Sequence, residues 1–202
     1  MSNAQPQRLP AYAVFAALLS AAGLPIYIHA PKFYVDEYGV SLAALGAVLF
    51  GLRLLDVVQD PLFGRLSEAL RSRRGVAVLI GCTVMALSML GLFAVPPLLP
   101  PLIWFALLLT GVFSAFSFLT INFYAQGVVK ADRLPGQGHL LLARWRETGA
   151  LRGVCVAAIA PVMLGGFIGA PFAGFAVGVL VLALVAVVLM RGEWVSDGLP
   201  PS

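Results

Sequence analysis

Four stretches of this chain, Leu9–Ala30, Val76–Val95, Leu102–Val128 and Pro171–Met190, run for twenty residues or more without a single Asp, Glu, Lys or Arg. A helix of about 20 apolar residues crosses the hydrocarbon core of a bilayer. Two further stretches, Leu42–Leu66 and Leu140–Leu164, have apolar flanks around a few charges. The chain therefore reads as all-α, a polytopic membrane protein in which residues 1–202 form one domain of six transmembrane helices. Only 11% of its residues are charged, less than half of the roughly 25% with which a soluble domain faces water. The breaks between spans are plain. Pro96-Pro97-Leu98-Leu99-Pro100-Pro101 cannot continue a helix, because proline lacks the donor and clashes with the preceding turn. Gly165–Pro171 is an equally clear, glycine-rich break. The first span is too long for a secretory signal and more spans follow it. Cys82 and Cys155 lie in apolar segments and read as small hydrophobes, not as a disulfide framework.

Basic residues sort to one side. Arg8, Arg65, Arg71, Arg73, Arg74, Lys130, Arg133, Arg144, Arg146 and Arg191 share a side if the spans alternate, whereas the opposite loops hold only Lys32, offset by Asp36 and Glu37. Cytoplasmic loops carry the excess of Lys and Arg, so both termini are expected in the cytoplasm of a multi-pass protein of the bacterial inner membrane. This bias explains the net charge of +4 without a nucleic-acid partner. Phe33, Tyr34, Tyr38 and Trp104 are expected at the outer headgroup level, and His29 and His139 as interfacial side chains near span ends. Gly149-x-x-x-Gly153 and Gly174-x-x-x-Gly178 predict close helix approach in spans five and six.

The charges inside span two carry the chemistry. Arg53, Asp56 and Asp60 fall within eight residues, with the two carboxylates one turn apart on one face. Each charge costs at least about 2.5 kcal/mol at mid-bilayer, so all three must line a polar interior or a water-filled cavity. One Arg cannot neutralise two Asp, and a proton or bound cation relieves their repulsion. Pro61 leaves a backbone carbonyl without its donor beside the pair. Arg152, about mid-membrane in span five, needs a partner, and the surplus carboxylate is the expected one. Arg144 and Glu147 are spaced for a surface ion pair. Thr120, Asn122, Tyr124 and Gln126 occupy alternate positions of span four, so half of them would face a cavity.

The run Arg53-Leu-Leu-Asp56-Val-Val-Gln-Asp60-Pro61-Leu-Phe-Gly64 resembles helix two of the major facilitator superfamily, and more closely that of its glycoside–pentoside–hexuronide cation symporters, the melibiose permease group. Gly64 and Glu68 followed by Arg71, Arg73 and Arg74 resemble the superfamily's gating loop between helices two and three, with Ala69 and Arg71 departing from its pattern. Phe33–Gly39 resembles the group's first outer loop, and Arg144–Gly153 the start of its fifth helix. The resemblance implies that Asp56 and Asp60 bind a coupling Na⁺ or H⁺, and that no other cofactor is used. It places the solute between helices one, four and five, at Ser20, Thr120 and either Arg144 or Arg146. Ser20 and Thr120 are neutral where the group has acidic residues. The family has twelve helices in two halves; six helices here imply a second copy or another six-helix half as partner, with the lipid bilayer around both.

Three functions fit these features. One is a half-transporter that moves a small polar solute such as a sugar in cation-coupled symport. A membrane enzyme of the prenyltransferase kind would use Asp56 and Asp60 to hold Mg²⁺ against a diphosphate, but needs a second aspartate-rich cluster that the sequence lacks. A non-transporting membrane subunit or a truncated fragment is the third, against which the intramembrane carboxylates argue. The expectation is a transporter, not an enzyme, with no resident metal.

Overall fold

The computed structural model describes residues 8–194, apart from the side chains of Leu24 and Pro25. It is helical: α1 (Leu9–Ala22), α2 (Leu24–Tyr38), α3 (Leu42–Ala69), a 3₁₀ turn at Arg71–Arg73, α4 (Arg74–Phe93), α5 (Pro101–Asp132), α6 (Gly138–Gly165) and α7 (Pro171–Met190). Among the described residues six helical spans are long and apolar enough to cross a membrane, with α1 and α2 together making the first.

Local chemistry sets the ends. Ser41 caps α3 by accepting the Ala44 amide at 3.2 Å. Gly39 closes α2 in the left-handed region, φ 64°, where a side chain is disfavoured. Pro101 and Pro171 open α5 and α7, where the missing amide has no helical partner to lose. The first span continues to Tyr38, so Phe33–Tyr38 is the last part of a helix and not a loop. Tyr34 is fully buried, its hydroxyl donating to the Leu92 carbonyl at 3.2 Å, instead of lying at the headgroup level. His29 is also buried: its Nε2 meets the Ala157 carbonyl at 3.1 Å, and its ring packs edge-on against Phe172 and Phe175. Burying a polar ring in lipid requires such a partner.

The first span breaks at Gly23, whose ψ of −102° is not helical. Proline at 25 contributes no amide to the following turn. The break lies at mid-span and divides α1 from α2.

Packing follows a repeat. α6 lies on α1 and α3 on α5; α7 also lies on α1 and α4 on α5; α4 and α7 meet each other. Exchanging α1 for α5, α3 for α6 and α4 for α7 returns this pattern to itself. Each partner runs the opposite way across the bundle, which makes the domain two inverted three-helix units. The core is Tyr12, Phe15, Leu18, Met85, Met89, Phe105, Leu109 and Phe123, all fully buried. α3 and α6 are the least buried spans after α1, α2, α4, α5 and α7 are packed, at 17% and 22% of their apolar windows.

After α7 the chain turns under the basic end of the bundle. Glu193 pairs with Lys130 at 2.8 Å, and its carbonyl accepts from Gln126 at 2.5 Å. Trp194 is buried edge-on against Phe15, ring centroids 5.4 Å apart. Gly149 and Gly153 sit so close to α1 that an added Cβ would overlap the backbones of Ala13 and Ala17. Gly174 and Gly178 behave differently: the first faces side chains only, Ile168 of the preceding connection and Leu164 at the end of α6, and the second faces open space. The expected approach of backbone to backbone thus occurs at the α6 pair and not at the α7 pair.

Candidate cation and solute site

The carboxylates sit halfway along α3, about 20 and 14 Å from its basic end for Asp56 and Asp60 at 1.5 Å per residue. They line one cleft with Gly23, Tyr27, Arg53, Phe113, Phe116, Ser117, Thr120 and Ile121, a space of ≈ 520 Å³. Arg53 reaches Asp56 at 3.4 Å and lies over the Tyr27 ring, 4.7 Å from its centroid. Gln59, one turn from Asp56, donates to it at 2.7 Å and accepts from Ser114 of α5 at 2.9 Å. The Ser117 hydroxyl donates to Asp60 in a short hydrogen bond. Asp60 has no cationic partner among the described residues, while Asp56 has Arg53 at 3.4 Å. Carboxylate oxygens, a hydroxyl and an amide therefore converge on one polar wall between α3 and α5. Hard cations such as Na⁺ take oxygen ligands of these kinds.

Gln59, Ser114 and Ser117 were not singled out from sequence. Ser114, Ser117 and Thr120 recur every third residue in an apolar helix, and that row of hydroxyls on one face is the signal that could have found them.

A second cleft of ≈ 420 Å³ opens on the other side of the Gly23 break. Its polar lining is Ser20, Thr120, Tyr124, Arg146 and Glu147, and Phe116 and Phe123 supply aromatic walls. Arg146 stacks over Tyr124 at 4.4 Å and bonds Glu147 at 2.9 Å. Glu147 is thus held by Arg146; Arg144 is exposed and lines neither cleft. The spacing i,i+3 brought Arg144 near Glu147 on the helix, but the adjacent Arg146, anchored on Tyr124, takes the carboxylate.

α5 sorts its four alternate polar residues from Thr120 to Gln126 by turn. Thr120 and Tyr124 line the clefts, and Asn122 and Gln126, two residues on and so on the far side of the helix, are buried between helices. Asn122, 1% exposed, accepts from Ser67 and donates to the Phe118 carbonyl, each at 2.8 Å. Gln126 accepts from Arg74 at 3.2 Å. Asn122 and Gln126 are therefore fastenings of the bundle and not cavity groups.

Two other expectations are corrected. Among the described residues no ion pair or hydrogen bond joins Arg152 to Asp56 or Asp60. It lines an apolar groove with Ala17, Ala21, Val156 and Phe175, on the side of α6 away from Ala150 and Val154, which face the second cleft. Arg74 is not a loop residue: it begins α4 and is buried. Of the other gating-loop candidates, Glu68 meets Arg71 at 3.4 Å, Arg73 is exposed and Gly64 has open space where a side chain would be.

No curated protein and no solved structure matches the chain. A family model described as MFS/sugar transport protein matches residues 10–193, nearly its whole length. That match meets a bundle of six membrane-crossing helices in two inverted units with a polar mid-membrane cleft. The chain is a multi-pass membrane protein that belongs to the MFS/sugar transport protein family of the major facilitator superfamily.

Proposed function

We propose that this chain is a half-transporter of the bacterial inner membrane that moves a small polar solute, such as a sugar, in symport with Na⁺ or H⁺. The observation that carries the reading is the set of oxygens between α3 and α5. Asp56, Asp60 and Ser117 face one cleft, with buried Gln59 holding Asp56 from behind and, among the described residues, only Arg53 to offset two carboxylates. Two carboxylates one turn apart favour uptake of a proton or a cation. Ser20, Tyr124 and Arg146 offer hydroxyls, an aromatic face and a guanidinium to the solute in the adjoining cleft. Membership of a transporter family favours this over Mg²⁺-dependent chemistry at the same two Asp.

A single bundle supplies one wall. Asp60 is exposed at mid-membrane, a position that lipid penalises by several kcal/mol, and a second six-helix body over α3 and α6, either another copy or a different half, would cover it. By the charge rule the end bearing Arg71, Arg74 and Lys130 faces the cytoplasm.

The test is cation-dependent protection of purified protein in nanodiscs. Na⁺, Li⁺ or lowered pH should raise the melting temperature of the wild type, and Asp60→Asn should lose that response while keeping its fold. A wild type indifferent to all three cations would sink the symport reading and leave the membrane fold untouched.

A further inference from the structure

The two clefts are separated by very little. Gly23, Phe116 and Thr120 border both of them. Phe116 immediately precedes Ser117, the partner of Asp60, and lies one turn before Thr120 on α5. Its ring occupies the notch left by the broken first span: a Cβ added to Gly23 would stand 3.4 Å from the ring and 3.3 Å from the Leu19 carbonyl. The Thr120 hydroxyl is shielded and has no hydrogen-bond partner among the described residues, although a buried hydroxyl is normally satisfied. One turn of one helix thus holds a group bonded to Asp60, a ring wedged at a backbone break, and an unsatisfied hydroxyl between the clefts.

Resting on the cation-site reading above, we propose that Phe116 is the positioning residue that couples the clefts, so that a cation at Asp56 and Asp60 changes the shape and access of the solute cleft. Ser117 now gives its hydrogen to Asp60. A cation bound by Asp60 competes for the same carboxylate lone pairs, and Ser117 can join its shell only by turning a lone pair toward it. The hydroxyl changes from donor to ligand, and the turn that carries it is re-seated. Phe116 moves with that turn, and because its ring is packed against the Gly23 notch it settles in one of two arrangements instead of sliding. A methyl group at Gly23 would pack directly on the ring as it now lies, in ordinary contact at 3.4 Å, and so favour this arrangement over the other.

The test reads the solute cleft while adding only a cation. Ser20→Cys is introduced on a Cys82→Ala/Cys155→Ala background in nanodiscs, and its alkylation by N-ethylmaleimide is timed with and without saturating Na⁺, Li⁺ or added protons. Thermal protection by the same cation is measured in each variant. The cation should change the alkylation rate by roughly fivefold or more, the low end of typical couplings between sites. Phe116→Ala, Phe116→Leu and Gly23→Ala should each bring that ratio toward one while thermal protection by the cation persists. A residue with a purely structural role would lower the melting temperature and leave the ratio alone. Persistence of the full ratio in both Phe116 variants overturns the proposal, as does a ratio of one in the parent that the cation still protects. Loss of cation protection in the parent removes the cation site and the coupling together, which distinguishes that failure from the others. Should Phe116→Ala fail to fold, Phe116→Leu, which keeps an apolar side chain of similar bulk, carries the measurement.

Discussion

The inverted repeat makes the packing of α6 on α1 and of α3 on α5 equivalent positions in the bundle, yet the two are built from opposite chemistry. α6 meets α1 through Gly149 and Gly153, backbone against backbone, with no space for a methyl group. α3 meets α5 through side-chain hydrogen bonds, Ser67 to Asn122, Ser114 to Gln59 and Ser117 to Asp60. Its own glycines, Gly46, Gly51 and Gly64, touch nothing within 4 Å. In lipid, close approach of small residues gains dispersion over a long contact, whereas each polar bond is local and can be exchanged for another ligand. One helix of the pair is fixed along its length, and the other is fastened by a ring contact of Phe63 with Phe118 and by three hydrogen bonds, one at Asp60 and one at Gln59, which in turn holds Asp56. The helix that carries the charge is the one whose attachment a cation can compete with.

The comparison is broken most severely at the fixed side. Gly149→Ala and Gly153→Ala each place a methyl group inside the α1 backbone. They should cost about 3 kcal/mol apiece, the upper end for overpacked sites, because a backbone cannot turn aside as a side chain can. Thermal unfolding in nanodiscs measures this, and near-wild-type melting would show that α1 and α6 are not sealed. Asn122→Leu at the third fastening of α3 should cost about 2 kcal/mol, since it removes the partner of the buried Ser67 hydroxyl, without altering thermal protection by a cation. Asp60→Asn should cost less than about 1 kcal/mol, because the amide oxygen still accepts from Ser117, and should abolish cation protection. A severe loss of stability in Asp60→Asn, with protection intact, would make the carboxylate a fastening like Asn122.

The six spans were legible because lipid leaves a strong mark on composition: a helix that faces hydrocarbon cannot hide charge. The charged triad was legible for the same reason, since Arg53, Asp56 and Asp60 stand out where each is costly. Neutral polar residues carry no such penalty signal. Nothing in the letters separates Thr120, which borders both clefts, from Asn122, sealed at 1% exposure; only the direction of each on α5 decides, and that depends on where α3 and α4 dock. The break at Gly23 was hidden by an apolar run that reads as one span, although glycine followed by Pro25 is a helix interruption of the kind found near transporter binding sites. Arg152 was misassigned because depth was known and azimuth was not. Glu193 and Trp194 fold back under the bundle through contacts with Lys130 and Phe15, distant in sequence and joined only by tertiary packing.

The smallest effect tests the open side of the comparison. Gly46→Ala and Gly51→Ala add a methyl group where no atom lies within 4 Å, on a helix whose interior glycines are a conformational cost. Each should leave the bundle unharmed or stabilise it by up to about 1 kcal/mol, the difference in helix propensity between the two residues. The same substitution that disrupts α6 at Gly149 should thus be harmless in α3, and the contrast depends only on what stands opposite the glycine. The proposed second bundle sharpens this. If it seats on α3, a methyl group at Gly51 fills space that the partner needs, so oligomeric mass in nanodiscs should fall while the melting temperature of the monomeric fraction holds or rises. Destabilisation of that monomeric fraction by Gly51→Ala would mean that α3 is packed as closely as α6, and the distinction between a sealed helix and a fastened one would be lost.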